Sequence, residues 1–365
     1  MLITHDFAFD YGGAERVTEA FARAFPEAEL LFVGADRAVL ERMGVSDRAT
    51  TILPLGRFRG RYRSLAPIYP LLAGSRSADV VLSSSYAFAH HVRARDFHLE
   101  YCHSPLRQLW VAEDRYRASV GGTMRAGMTL FGGPLRRLDR RAVERVDELV
   151  ASCENVRARI RSVYAREAAV LHPPVDTAVF RPSGAEREAG LALAVARLVE
   201  PYKAVRSLLD VFAQLPYRLV VAGDGRDGAA LRASAPPNVE FVGHVGDDEL
   251  RDWYGRASLV VFPGEDDFGL VPVEAMACGT PVVAADGGGA RETVVHGATG
   301  LRFRDGGLEQ AVRQAMETEW DASAIRLHAL AFDTSAFVER IRGLVAARLG
   351  EASPPSLEER VPVCG

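Results

Sequence analysis

Short apolar runs ending in polar residues or glycine recur along the chain, with stretches of helical periodicity between several of them, and this alternation limits the fold more than any other feature. The first series is MLITHDF, LLFVGA, DVVLSSS, FHLEYCH, DELVASC and AAVLHPP, with helical patterns over Glu15–Phe25 and Asn155–Tyr164. After HPPVDTAVFRPSGAEREAG, rich in proline, glycine and charge, the alternation restarts with LALAVARLV, YRLVVAGDG, NVEFVGHV, SLVVFPG and TPVVAAD. Helical patterns there cover Lys203–Leu215 and Asp247–Ala257. Near-continuous apolar strands alternating with amphipathic helices predict parallel sheets covered on both faces. At 365 residues the chain also exceeds the size of one core. The expectation is therefore an α/β protein of two Rossmann-like domains: residues 1–180, residues 181–350 with a last helix that can pack back on the first domain, and a flexible tail over 351–365.

Composition narrows the class. With 48% hydrophobic and 25% charged residues the chain reads as an ordinary globular protein. No apolar run approaches the roughly 18 residues that cross a bilayer, and the N-terminus lacks a basic stretch followed by an apolar one, so a cytoplasmic location is expected. Cys102, Cys153, Cys278 and Cys364 show no C-x-x-C spacing, which argues against zinc and against a disulfide framework. Residues 1–181 carry 26 arginines against 21 acids, a net +5, so within the overall −4 the remainder nets −9. The densest basic stretch, GRFRGRYRSLAPIYPLL, alternates Arg57, Arg59, Arg61 and Arg63 with Phe58 and Tyr62. It reads either as a contact with an anionic membrane surface, giving a peripheral location at the inner face of the membrane, or as a solvated loop. No nucleic-acid partner is expected.

In sheets of this kind ligands bind beyond the carboxyl ends of the strands. Arg197 ends one strand, and Lys203, the chain's only lysine, is predicted to open the next helix. A pyrophosphate fits that placement, because helix N-terminal amides favour an anion and a compact ammonium enters a narrower space than a guanidinium. The alternative is a chance lysine on a surface helix.

The stretch FPGEDDFGLVPVEAMACGTPVVAADGGGARET, residues 262–293, carries more. Glu265, Asp266 and Asp267 follow a strand; Phe268, Gly269, Leu270 and Val271 lead into a helix containing Glu274, predicted in its first turn. Amides at 269–271 can bind phosphate, Gly269 lets the backbone come close, and Glu274 can accept both hydroxyls of a ribose. Equally, Glu274 can serve only the helix dipole and the acids a solvated loop. Gly12 and Gly13, in YGGAERV, open the first helix and permit close approach of a phosphate or acceptor, although a glycine pair alone is weak. Gly287, Gly288 and Gly289 read as a tight turn before a site.

DDFGLVPVEAMACGTPVV, with ARLVEPYK, VAGDG and YGGAERV, resembles the retaining nucleotide-sugar glycosyltransferases of family 4, over nearly the whole chain except the tail. Their fold is GT-B, two Rossmann-like domains whose parallel sheets face across a cleft. PGEDDFGLVPVEA and YCHSPLRQLW are most similar to the bacterial mannosyltransferases of O-antigen and related polysaccharide assembly. The resemblance implies that Arg197 and Lys203 hold the donor diphosphate, that the first acid of the motif contacts the sugar and that Glu274 binds ribose. Counting back eight from Glu274 reaches Asp266 where that family usually has Glu; Glu265 is adjacent and stays a participant. His103, in YCHSP, corresponds to a histidine near the sugar that can hydrogen-bond a hydroxyl or support developing charge, although a lone histidine is usually structural.

The implied function is retaining hexosyl transfer, with mannosyl from GDP-mannose favoured, to a carbohydrate or lipid-linked glycan acceptor. Its catalytic set is His103, Asp266, Arg197 and Lys203, with no metal and no cofactor besides the donor. The alternatives are a UDP-sugar donor, a sugar-nucleotide epimerase or hydrolase on the same fold, and a non-catalytic nucleotide-binding protein.

Overall fold

The computed structural model describes residues 1–53, 67–111, 113–119, 121–304 and 306–350. The Arg57–Arg63 segment and the expected tail lie outside the described residues.

The chain divides into two compact units, Met1–Pro174 with the chain from Ser335, and Val175–Thr334. In the first, strands β1 (Leu2–Ala8), β2 (Glu29–Ala35), β3 (Ala49–Thr51), β4 (Ser77–Ser85), β5 (Arg93–Cys102), β6 (Glu148–Ala151) and β7 (Ala169–Val170) form a sheet in the order β3-β2-β1-β4-β5-β6-β7. Every pairing in it is parallel. In the second, β8 (Glu188–Val195), β9 (Arg218–Ala222), β10 (Val239–Gly243), β11 (Ala257–Phe262), β12 (Val282–Ala285) and β13 (Gly300–Phe303) give the order β10-β9-β8-β11-β12-β13, again parallel throughout. Each unit is thus Rossmann-like, and each sheet reverses its winding once, between β1 and β4 and between β8 and β11. At that reversal the loops leaving two neighbouring strands diverge and open a crevice at their carboxyl ends.

The apolar runs form the strands because both sheet faces are covered. Leu30, Phe32 and Leu82 are fully buried in the first unit, as are Leu219, Val221 and Leu259 in the second. Helices supply the cover. Gly13–Ala24 turns Val17, Ala20, Phe21 and Ala24 inward at helical spacing. The helix Thr334–Leu349 packs on the first unit, where Phe337 stacks on Phe21 at 6.0 Å and Arg342 donates to the Ala24 carbonyl at 2.8 Å.

The units part at Pro174 rather than at 180. The reason is local bonding: Val175 N donates to the Phe332 carbonyl at 2.9 Å, and Arg326 reaches the Phe180 carbonyl at 3.3 Å. The helix expected over Lys203–Leu215 is shorter, Val205–Phe212. Cys102, Cys153 and Cys278 are buried and form no disulfide among the described residues. No described helix is long and apolar enough to cross a membrane.

Candidate active site

In the second unit the crevice lies between the loops that follow β8 and β11. Arg197, two residues beyond β8, is exposed, and among the described residues its guanidinium has no carboxylate partner. The chain beside it continues the ladder: Leu198 N donates to Asp224 O at 3.0 Å, within VAGDG. Lys203 does not open the next helix as expected. It closes a turn, its N–H donating to Val199 O at 3.0 Å, and Ala204, at φ 51°, stands between it and the helix. Ala204 has no side chain to cap the helix, and Glu200 does so from the turn, accepting from Val205 N at 2.8 Å. Sequence reasoning missed Glu200; the only signal was a carboxylate just upstream of an uncapped helix start.

Lys203 is positioned by its neighbours. Its Nζ lies 5.3 Å from the Tyr202 ring centroid and 5.9 Å from that of Phe262, and donates to Asp266 Oδ1 at 2.6 Å and also to Oδ2. With side chains 15% and 18% exposed, the pair sits at the crevice mouth rather than in the core. The fold therefore brings together a cation and a carboxylate 63 positions apart.

The acidic loop rests on the one after β12. Gly289 N donates to Asp266 O at 3.1 Å, and a Cβ on Gly288 would lie 2.1 Å from Asp266 O, at a φ of 52° that L side chains rarely adopt. The three glycines at 287–289 are what lets the two loops touch. Glu265 is exposed beside Gly287, Asp266 and Asp267 are half-buried, and Phe268 is buried against Phe332. Gly269, at φ 80°, caps the helix Leu270–Ala277, so the N–H groups of Leu270 and Val271 stand at its open end. Pro272 has no N–H to offer there. Glu274 falls in the second turn, not the first, because the helix begins at Leu270. It is 5% exposed, and the Tyr254 hydroxyl donates to its Oε2 at 3.0 Å, which fixes the carboxylate.

The first unit has its own cluster at the reversal between β1 and β4. Gly12 caps the helix that Gly13 begins, and its N–H donates to Glu15 Oε2 at 2.9 Å. Glu15 Oε1 lies 3.4 Å from His5 Nε2, and His5 Nδ1 contacts Ser84 O at 3.0 Å and Thr18 Oγ1 at 2.9 Å. Ser84 Oγ meets His103 Nε2 at 2.8 Å. Burial, with His5 beside it, pushes the His103 pKa down to about 3, so the imidazole is neutral near pH 7. A neutral imidazole can still donate or accept a hydrogen bond, so both roles expected for His103, to a sugar hydroxyl or to developing charge, remain proposals. His5, Glu15, Thr18 and Ser84 were not foreseen, since their contacts span 10 to 79 positions.

Among the described residues one trio places possible metal ligands within 4.8 Å: His90, His91 and Asp139. His90 Nε2 is 3.0 Å from Asp139 Oδ1, and Asp139 Oδ2 accepts from Trp110 Nε1 at 2.7 Å and from the Tyr164 hydroxyl at 2.8 Å. Burial alone would depress His90, but the Glu100 and Asp139 carboxylates outweigh it and raise the pKa to about 9. A metal there would have to displace the His90 proton, and without one His90 and Asp139 form a buried ion pair.

Two Rossmann-like units with these sheet orders define the GT-B fold, and solved structures of that class match over nearly the full chain. Anabaena Alr3699/HepE, solved in complex with UDP-glucose, is 20% identical with a TM-score of 0.71, covering 95% of this chain and 99% of that one. Sucrose-phosphate synthase from Thermosynechococcus elongatus is 18% identical with a TM-score of 0.71, covering 96% and 100%. Residues 189–318, which hold Arg197, Lys203, Asp266 and Glu274, match the family described as Glycosyl transferases group 1. Among curated proteins, the D-inositol 3-phosphate glycosyltransferase of Kribbella flavida is 32% identical over 202 residues, 47% of this chain and 48% of that protein. That of Mycobacterium bovis is 32% identical over 226 residues, 52% and 47%. The matched stretch thus spans about half the length of these relatives.

Proposed function

We propose that the chain is a retaining glycosyltransferase that moves a hexosyl group from a nucleoside-diphosphate sugar to a glycan or lipid-linked glycan. The observation that carries this reading is the Lys203–Asp266 pair at the β8/β11 crevice, with buried Glu274 on the helix beyond and Arg197 unpaired on the facing loop. A leaving diphosphate is stabilised by cations placed before the bond breaks; Lys203 is such a cation, held by Asp266, and Arg197 on the same loop is free to turn to it. Asp266, in contact with Lys203, is then next to the junction of phosphate and sugar, where a carboxylate can accept sugar hydroxyls. The N–H groups of Leu270 and Val271 add donors for phosphate oxygens, and Glu274, held by Tyr254, is the ribose acceptor.

No side chain in the crevice is assigned as a nucleophile, so retention follows from attack on the face the diphosphate leaves. With two cations on the leaving group, no divalent ion is required. Mannosyl from GDP-mannose is the favoured donor because PGEDDFGLVPVEA and YCHSPLRQLW are most similar to mannosyltransferases. A UDP-sugar is the second reading, favoured by Alr3699/HepE, whose structures hold UDP and UDP-glucose. An epimerase or hydrolase would use the same grip without an acceptor.

The test is turnover of labelled donor with and without glycan acceptors, in EDTA, with the product anomer assigned by NMR. Acceptor-dependent release of nucleoside diphosphate with a retained anomer is expected. Equal donor consumption without acceptor would replace transfer by hydrolysis or epimerisation.

A further inference from the structure

A cavity of about 500 Å³ opens in the first unit at the opposite end of β5 from His103. It lies where β5 begins, between the helix Tyr69–Gly74 that leads into β4 and the end of the helix Gly122–Val143 that leads into β6. Arg93, Arg141 and Arg145 all line it, with His91, Ser75 and Leu71, and its described lining contains no carboxylate.

Arginine at a protein surface is ordinarily solvated or paired, and the neighbours follow that habit: Arg95 pairs with Asp79 and Arg136 with Glu113. The three cavity arginines are exposed and, among the described residues, unpaired, so they are solvated rather than matched to carboxylates. Among the described residues none of them meets a carboxylate within ion-pair distance, and the side-chain bond shown for them is Arg145 Nη1 to the Arg141 carbonyl at 2.8 Å. Burial and then the Arg93 charge lower the Arg145 pKa, against a smaller opposing effect of Glu144.

His91 supplies an independent observation. It is 3% exposed and stacks on His90 at 4.7 Å, yet its Nε2 is 4.0 Å from Asp139 Oδ1, beyond hydrogen-bond length, and its ring makes no hydrogen bond among the described residues. Burial and the His90 charge keep it neutral, with a pKa near 3. Neither ring nitrogen is among the buried side-chain atoms left without a partner, so the ring can be reached from the cavity it lines. Three arginines around one cavity whose described lining holds no carboxylate favour an anion with several oxygens, and arginine matches phosphate best.

We propose that this cavity binds a phosphate group, held by Arg93, Arg141 and Arg145 with His91 as a neutral donor. It is separate from the diphosphate grip proposed for the second unit and does not depend on it. The volume accommodates more than bare phosphate. The phosphate can therefore belong to a soluble phosphorylated molecule or to a lipid headgroup, and Leu71, lining the cavity and 63% exposed, gives the second source an apolar contact.

The test uses the full chain carrying Arg197→Ala and Lys203→Ala, so that the donor grip does not contribute. Inorganic pyrophosphate is titrated by calorimetry at constant ionic strength, and in a second arm the protein is sedimented with phosphatidylglycerol or phosphatidylcholine vesicles. Adding Arg93→Gln, Arg141→Gln and Arg145→Gln is expected to weaken whichever binding is seen at least about tenfold, and the same three changes in the otherwise wild-type chain to leave nucleoside-diphosphate binding unchanged. Pyrophosphate binding alone marks a soluble ligand; binding only to phosphatidylglycerol marks a lipid. Should the triple variant fail to fold by circular dichroism, Arg93→Gln and His91→Leu are each read alone, with a threefold or greater weakening expected from either. Absence of binding in both arms, or binding that none of these substitutions weakens, overturns the proposal. Vesicle binding lost with Gln at 57, 59, 61 and 63 but kept in the triple variant overturns it as well.

Discussion

Lys203 Nζ donates to both carboxylate oxygens of Asp266, across the point where the second sheet reverses its winding. The cation proposed for a diphosphate and the carboxylate proposed for a sugar are thereby held in contact. The ammonium sits among Tyr202, Phe262 and Asp266, and a planar guanidinium there would have to find a different geometry. Lys203→Ala is expected to lower kcat by about 10²–10³-fold, the usual effect of removing one fixed group that stabilises transition-state charge. The stability cost should be only on the order of 1 kcal/mol, since the pair is partly solvated. Lys203→Arg should also be poor; activity equal to wild type would remove the argument from width. Steady-state kinetics with parallel urea denaturation separates the two quantities.

The three acids of the loop should not be equivalent. Asp266 touches Lys203, whereas Glu265 is exposed beside Gly287. Asp266→Asn is therefore expected to reduce kcat more than Asp267→Asn or Glu265→Gln, by at least an order of magnitude. A damaging Glu265→Gln beside a silent Asp266→Asn would move the sugar contact by one residue.

Gly288→Ala tests the support of that loop without touching a charged group. Its Cβ would lie 2.1 Å from Asp266 O, at a φ of 52°, so the acidic loop must shift. Donor affinity is expected to fall more than tenfold while the circular dichroism of the chain is unchanged. Unaltered affinity by calorimetry would mean that the loop's position does not matter for binding.

The buried His90–Asp139 pair predicts a pH dependence with a definite sign. The His90 pKa is raised from 6.5 to about 9, so the folded state holds the proton more tightly than the unfolded one. That contribution is fully present below about pH 6.5 and is lost as pH rises through about 9, an effect of a few kcal/mol by linkage. Glu100, raised by burial to about 7, adds a loss that is complete by about that pH. Denaturation between pH 7 and 10 should show wild-type stability declining relative to His90→Gln; parallel curves would show that His90 is not charged in the native state.

Much of the fold was legible in the sequence because a strand buried on both faces reads as a continuous apolar run. β1, β2, β4 and β11 are such runs, and the order of strands and helices followed from them. The short strands β3 and β13 were not legible: ATT and GLRF are too brief to show a pattern. The helix Gly122–Val143 was also missed, since its glycines and Pro134 obscure the periodicity. In the candidate site, Arg197, Lys203, Asp266 and Glu274 could be named because they fall in two short stretches, each just after a strand. The contacts that fix them could not: Lys203 with Asp266, Tyr254 with Glu274, and Gly288 against Asp266 join residues distant in sequence, and only the parallel sheet brings them together.

The most direct measurement is a calorimetric titration of the chain with GDP, UDP, GDP-mannose and UDP-glucose, repeated on Lys203→Ala and Glu274→Gln. The account predicts one site per chain for at least one nucleoside diphosphate and its sugar, weakened at least about tenfold by either substitution. If none of the four ligands binds, or if binding is the same in both variants as in the wild type, the site is not a nucleotide-sugar site and the proposed function is wrong.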